Sequence, residues 1–351
     1  MRLGVVKDAR MCYNEEKAHI AYTLVHYTEG IMLDQEILNF GPNMPAPLSE
    51  QQAVKFYRSY IPRIFIAASL PLRDVKKTHF ERKYNSITLH LNSPNMVPYG
   101  KYARLLLSVL TTHAVQSKNN LNPDGTVTVR FPTLQALLDE MKLPKQRSNE
   151  IKEQLNRFKS ATFVYDEERI TTAQKSLFPE YYSANDKGLV TATKYSTGNI
   201  MFMDSMQFIE LDDGSKDKRS IAFSFVLNNK FVKLCAEHSV PIDYSVYRDI
   251  SSALGKDLYA WIVYRNNSIG PDGLFIPRSC MVSQFMPVTN PEQKDQERAN
   301  FKYIVDQILL IKSKYYPDLK MQVDRDYLGI TFYQSPQIMA PKDTRYILVT
   351  S

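Results

Sequence analysis

"PYGKYARLLLSVLTTHAVQSKNN" (residues 98–120) opens with a Pro-Tyr-Gly turn and then changes character. Tyr102, Leu105, Leu106, Val109 and Leu110 recur at helical spacing, which predicts a helix with one apolar face. Its start is aromatic and basic, and its end is polar. Downstream, "NPDG" (122–125) reads as a turn and "TVTVRF" (126–131) as a short strand. Thr133 is placed to cap "LQALLDEMKL" (134–143), which turns Leu134, Leu137 and Leu138 inward and stops at Pro144. "KQRSNEIKEQLNRFKSA" (145–161) follows as a second helix and "TFVYDEE" (162–168) as a strand.

The same order returns later. "SVYRDISSALGKDLYAWIVYRNNS" (245–268) reads as one helix with Leu254, Leu258, Trp261 and Ile262 on a face. Then come a strand "GLFIP" (273–277), a short helix "RSCMVSQFM" (278–286) and a long helix over 291–316. "LKMQVDRDYLGITFYQS" (319–335) is two strands with a tight turn near Asp326. Helix, strand, short helix, longer helix and hairpin is the order of a winged helix-turn-helix. The expectation is therefore an α+β fold of two tandem winged helix-turn-helix domains. An N-terminal extension covers 1–93 and the first domain 94–225, with hairpins inserted at about 168–217. The second domain covers 226–351. In the extension, "PLSEQQAVKFYRSYI" (47–61) reads as a helix with Ser49 and Gln52 as a capping box, and "SITLHL" (86–91) as a strand.

The bulk numbers agree with such a chain. It has 351 residues, enough for two or three domains, and 44% hydrophobic residues, enough for real cores. Its formal net charge of +7 points weakly to a polyanion partner. Cys12, Cys235 and Cys280 show no CxxC spacing, which argues against a disulfide framework or a structural zinc site and fits a reducing cytoplasm. The start of the chain is broken by charges too early for a signal peptide, and "IFIAASLPL" (64–72) is too short to span a bilayer. The expectation is a cytoplasmic protein with no membrane partner.

Two helices carry candidate DNA contacts. Around 145–160, Ile151, Leu155 and Phe158 form the apolar face, while Lys145, Gln146, Asn149, Lys152, Asn156 and Arg157 flank it. Lys and Arg neutralise phosphates, and Asn and Gln bond adenine edges. In the long helix, Phe301, Ile304, Val305, Ile308 and Leu309 make an apolar stripe. Its DNA candidates are Lys294, Gln296, Arg298, Asn300, Lys302 and Tyr303, mostly in the half that reads bases in such folds. An ordinary solvated surface has the same composition, and Asp295, Glu297 and Asp306 oppose phosphate contact. The loop "DGSKDKRS" (213–220) reads equally as a phosphate contact or a wet turn.

Catalytic spacings are missing. There is no GxxxxGK[ST]. His19, His26, His79, His90, His113 and His238 are scattered with no HxH, so no catalytic residue, cofactor or metal is expected. "ELDDG" (210–214) reads as a turn, His113 as a half-buried packing residue, and Cys235 and Cys280 as small core residues.

The opening stretch also resembles the "PYG…ARLLL" block of the plasmid RepA-type replication initiators of bacteria. Further blocks follow in order: "SLPLRD" (69–74), "FERKYNSITLHL" (80–91), "EIKEQLNRFKSATF" (150–163), and "FVLNNKFVKLCAEHSVPIDYSVYRDI" (225–250) running into "SALGKDLYAWIVYR" (252–265). The resemblance covers roughly Ser69 to Tyr333. It departs from the family at "MKLPKQRSNE" (141–150), where a glycine often follows the turn. It implies a non-enzymatic initiator that binds repeated sequences in double-stranded origin DNA, helps to open the origin, and recruits host replication proteins for helicase loading. It also implies a homodimer through the first winged-helix domain. A winged-helix transcriptional repressor is the alternative. A rolling-circle nickase would need the missing HxH metal pair.

Overall fold

The computed structural model describes residues 58–336 apart from 85–86, 118–120, 175–182, 185–188, 212–218 and 289–293. In chain order these form β1 (Arg58–Pro62), α1 (Arg63–Ala67), β2 (His79–Tyr84), β3 (Ile87–Asn92), α2 (Gly100–Gln116), β4 (Val127–Phe131) and α3 (Leu134–Glu140). A 3₁₀ turn (Lys145–Arg147) leads into α4 (Ser148–Ser160). Then follow β5 (Thr162–Gln174), β6 (Ser183–Ala184), β7 (Leu189–Met201), β8 (Met203–Leu211), β9 (Arg219–Leu227), α5 (Asn229–Glu237), β10 (Ser239–Asp243), α6 (Tyr244–Asp249) and α7 (Ala253–Asn266). The chain continues through β11 (Leu274–Pro277), α8 (Arg278–Phe285), α9 (Lys294–Lys314), β12 (Met321–Val323) and β13 (Gly329–Phe332). The fold is a mixture of helix and sheet of the α+β kind.

Two three-stranded sheets share one pattern. In the first half β4 pairs with β9, and β9 with β8; in the second β11 pairs with β13, and β13 with β12. Each is preceded by a central helix and carries two helices between its first strand and its hairpin. Thr133 caps α3 as its position predicts, its Oγ1 accepting from the Ala136 N–H at 3.2 Å. At the second hairpin, Asp324 Oδ1 accepts from the N–H groups of Asp326 and Leu328. Gly329 has no room for a side chain there, since an added Cβ would sit 2.4 Å from the Ile276 carbonyl oxygen.

Several sequence expectations are corrected. Residues 58–61, read as the end of a helix, are in β1, which pairs antiparallel with β10; the capping box before them lies outside the described residues. The strand at 162–168 is not beside β4. It begins β5, which pairs with β3 and β7 in a five-stranded sheet of order β2-β3-β5-β7-β6. The hairpin beside β4 is β8–β9 instead. The helix expected over 245–268 is two, α6 and α7, because Ile250 is extended and both Asp243 and Ser252 act as caps. Cys235 and Cys280 are both buried in the core as expected, and Cys235 is a free thiol whose ionisation burial pushes up; Cys280 is disulfide-bonded, against the expectation of no disulfide.

The helix α2 was expected to bury one face, yet it is buried on nearly every side from Ala103 to Thr111. It packs against β1, α4, α5 and α7. Two of its buried hydroxyls are satisfied within the helix: Ser108 Oγ donates to the Leu105 carbonyl at 2.7 Å and Thr111 Oγ1 to the Leu107 carbonyl at 2.7 Å. Beneath α4, Phe202 collects Phe158, Phe163 and Phe231 at ring-centroid distances of 4.8, 4.8 and 5.4 Å. In the second half Trp261 packs edge-on to Phe285 and Phe332 at 5.7 and 5.5 Å.

The two halves are wired together by Arg104. Its Nε and Nη2 donate to the two Asp257 carboxylate oxygens, each at 2.7 Å. The rest of the guanidinium donates to the carbonyls of Leu70, Pro71 and Gly100 at 2.6, 3.1 and 2.9 Å. This accounts for the Pro-Tyr-Gly turn. Gly100 takes φ +72°, a region open to glycine, and its carbonyl is aimed back at Arg104. Arg82 and Gln284 add a second seam. Arg82 Nη1 donates to the Gln284 carbonyl at 3.1 Å, and Gln284 Nε2 donates to the Ala67 carbonyl at 3.3 Å.

Lys256 lies beside Arg104, fully buried, its ammonium donating to the Tyr247 carbonyl and, at 3.1 Å, to that of Arg248. Burial, with Lys101 and Arg104 adding repulsion, pulls its pKa down to about 7. The unfolded chain holds this proton to about pH 10.4. Between the two values the unfolded state binds more protons, so stability rises with pH. The contribution is flat below pH 7. Denaturant unfolding between pH 7 and 9 is expected to show a gain of up to about 1.4 kcal/mol per pH unit. The Lys256→Gln protein should lose that slope; an unchanged slope would contradict the assignment.

Candidate nucleic-acid interface

The sequence places six candidates on α4 and the turn before it. Lys145, Gln146, Asn149 and Asn156 are exposed, and Lys152 is half-buried with its ammonium 5.8 Å from the Phe208 ring centre. Asn149, Lys152 and Asn156 are spaced 3 and 4 apart, so they share one stripe, which exposed Lys159 extends. Lys159 escaped the sequence reading because it stands beside Phe158 at the helix end. The carboxylates of α4 are both engaged. Glu150 pairs with Arg147 at 2.8 Å and Glu153 with Arg157 at 2.8 Å.

Arg157 is a correction. It is only 6% exposed. Its guanidinium donates to the Val97 carbonyl at 2.9 Å, pairs with Asp74 at 3.3 Å and lies 4.7 Å over the Tyr99 ring. Asp74 is held below the usual carboxylate range: burial raises it, but the Lys76 backbone N–H and Arg157 outweigh that. Arg157 therefore joins α4 to the segment before α2 and is not presented to a ligand. Arg157→Ala is expected to cost about 1.5–3 kcal/mol of stability while leaving the salt dependence of DNA binding unchanged. A flatter salt dependence at unchanged stability would reverse this assignment.

Near the start of α4 stands a group that sequence spacing missed. Tyr102, in the first turn of α2, has the Lys101 ammonium 5.2 Å and the Arg147 guanidinium 5.8 Å from its ring centre. Tyr102 thus gathers a cation from its own helix and one from the turn before α4, which accounts for the basic and aromatic start of the 98–120 stretch. No side chain caps α4.

On α9 the picture is mixed. Arg298 and Lys302 are exposed, and Tyr303 is 46% exposed. Asn300 is half-buried and donates to the Met286 carbonyl at 2.9 Å; Gln296 is half-buried. The side chain of Lys294 lies outside the described residues. Glu297 is taken up by Arg278 at 2.9 Å, and Arg278 also donates to the Tyr327 carbonyl in the hairpin at 3.3 Å. Exposed Asp295 and Asp306 remain among the cations. Leu309, expected in the apolar stripe, is 45% exposed, and Ile311 is buried in the stripe instead. The loop at 213–220 and the acidic turn at 210–214 lie largely outside the described residues. His113 is half-buried as expected, 2.7 Å from Glu140.

Solved structures similar to this chain include two of RctB domains. One, a selenomethionine derivative of domains 2 and 3 of RctB, is 11% identical, with a TM-score of 0.42, covering 71% of this chain and 86% of that one. The other, RctB domains 2–3 spanning 155–483, is 12% identical, with a TM-score of 0.42, covering 77% and 94%. No protein-family model and no curated protein matches. Among the described residues no helix is long and apolar enough to cross a membrane.

Proposed function

We propose that this chain is a non-enzymatic, sequence-specific duplex DNA-binding protein that initiates plasmid replication. It uses two winged-helix units: α2, β4, α3, α4 and the β8–β9 hairpin, then α7, β11, α8, α9 and the β12–β13 hairpin. The matching strand orders of the two small sheets support the unit assignment. The observation that carries the function is the outer stripe of α4. Lys145, Asn149, Lys152, Asn156 and Lys159 combine cations with amides, while both carboxylates of that helix are already paired. Such a stripe neutralises phosphates and bonds base edges from one helix. The exposed acids on α9 make α4 the principal phosphate contact, with Arg298 and Tyr303 as the second contact. The sequence resemblance to plasmid initiators supports the choice of an origin duplex as target and of host replication proteins as later partners.

The test is a gel-shift titration on the DNA flanking the chain's own gene, against random duplex, over a range of salt. A ladder of discrete bands on one fragment, with affinity falling steeply as salt rises, is expected. A single promoter band would turn the reading to a repressor. Equal affinity for both DNAs would remove sequence specificity.

A further inference from the structure

The sequence scatters its histidines, but the β2–β3 pairing gathers two of them. The register sets His79 opposite Asn92 and Glu81 opposite His90. His79, Glu81, His90 and Asn92 all lie on the outward face. Arg82, Tyr84, Leu89 and Leu91 turn inward and are buried. One ligand atom from each of His79, Glu81 and His90 lies within 4.8 Å of the others. Tetrahedral ligands at about 2.0–2.1 Å from a zinc ion stand about 3.3 Å apart. Small side-chain rotations at exposed His79 and Glu81 close that gap.

One imidazole is already oriented by a hydrogen bond, and the other faces a carboxylate. His79 Nδ1 lies 2.7 Å from Asn92 Oδ1, so Nδ1 carries the hydrogen and Nε2 offers its lone pair. His90 Nε2 faces Asp166 Oδ2 at 3.8 Å, while Nδ1 faces Glu81 at 3.4 Å. The two rings are near-parallel, at 26° and 6.1 Å between centres. The Asn92 acceptor on the far nitrogen of His79 is the arrangement that fixes metal-ligating imidazoles, and Asp166 lies on the corresponding side of His90.

We propose that His79, Glu81 and His90 bind a divalent cation of the zinc class, with Asn92 and Asp166 orienting the two imidazoles. Two imidazoles and one carboxylate suit zinc, whereas magnesium and calcium favour all-oxygen sets. Three protein ligands on an open sheet face leave the fourth position to water or an incoming oxygen ligand. The ion ties edge strand β2 to β3. The proposal does not depend on the DNA reading.

The test uses the full chain without an affinity tag, stripped with chelator, then titrated with zinc sulfate against a weak chromogenic chelator. The wild type is expected to take up one more equivalent than His79→Gln or His90→Gln. Asn92→Ala should retain the site with about 10–100-fold weaker affinity. Thermal melting in chelator checks that each variant folds; exposed His79→Gln is the decisive one. Cobalt in place of zinc should give a tetrahedral absorption spectrum that His79→Gln loses. Equal zinc uptake by the wild type and His79→Gln, or none by the wild type against the chelator, would overturn the proposal.

Discussion

Replacing Arg104 by alanine is expected to destabilise the fold by about 3–5 kcal/mol, the usual cost of leaving one charge of a buried pair alone. Arg104 and Asp257 are 2% and 6% exposed, so neither charge is relieved by water. Removing the guanidinium strands the Asp257 carboxylate and also frees three carbonyls, those of Leu70, Pro71 and Gly100. Nearby Arg82 feels the Asp257 charge, but it is committed to the Gln284 carbonyl. The informative control removes the pair together. Arg104→Met with Asp257→Leu should recover much of the loss, because swapping a whole buried pair for apolar groups is often close to neutral. Urea unfolding of the two single variants and the double one closes the cycle. A loss below about 1 kcal/mol in Arg104→Ala would mean that the halves are held by apolar contact and the Arg82–Gln284 seam without need of this ion pair.

The second large effect concerns DNA. Changing Lys145, Lys152 and Lys159 together to alanine should weaken binding to origin and random duplex alike. The slope of log affinity against log salt should flatten by roughly three. Folding stability should fall by no more than about 1 kcal/mol, since Lys145 and Lys159 are exposed and only Lys152 leaves a contact, over the Phe208 ring. Asn149→Ala or Asn156→Ala should instead reduce discrimination between sequences by about 1–3 kcal/mol with the salt slope intact. Anisotropy titrations at several salt concentrations separate the two patterns. An unchanged slope in the triple variant would move the phosphate contact off α4.

Much of this architecture was legible locally. The periodicity after Pro98, the Thr133 cap and the helix–hairpin order of the second half each depend on neighbours in the chain. What could not be read depends on distant partners. Residues 58–62 have helical company in sequence, but their strand partner is β10. Arg157 looked like its neighbour Asn156 until Asp74, Val97 and Tyr99 were brought around it. The break between α6 and α7 turned on the extended Ile250 and the Ser252 cap competing with an apolar period that runs through them. His79 and Glu81 share a strand, but His90 joins them only through the antiparallel register of β2 and β3. No spacing rule along the chain marks such a cluster.

The pairing of β1 with β10 also bears on how the molecule is made. During synthesis β1 leaves the ribosome early and waits for a partner at Ser239–Asp243. Arg104 waits longer still, for Asp257. Until then the middle of α2 has an open apolar flank and an unmatched cation. Closing such long loops is slow, and the waiting chain is exposed to aggregation. A nascent chain halted before residue 257 would therefore be a client for chaperones, not a finished first half.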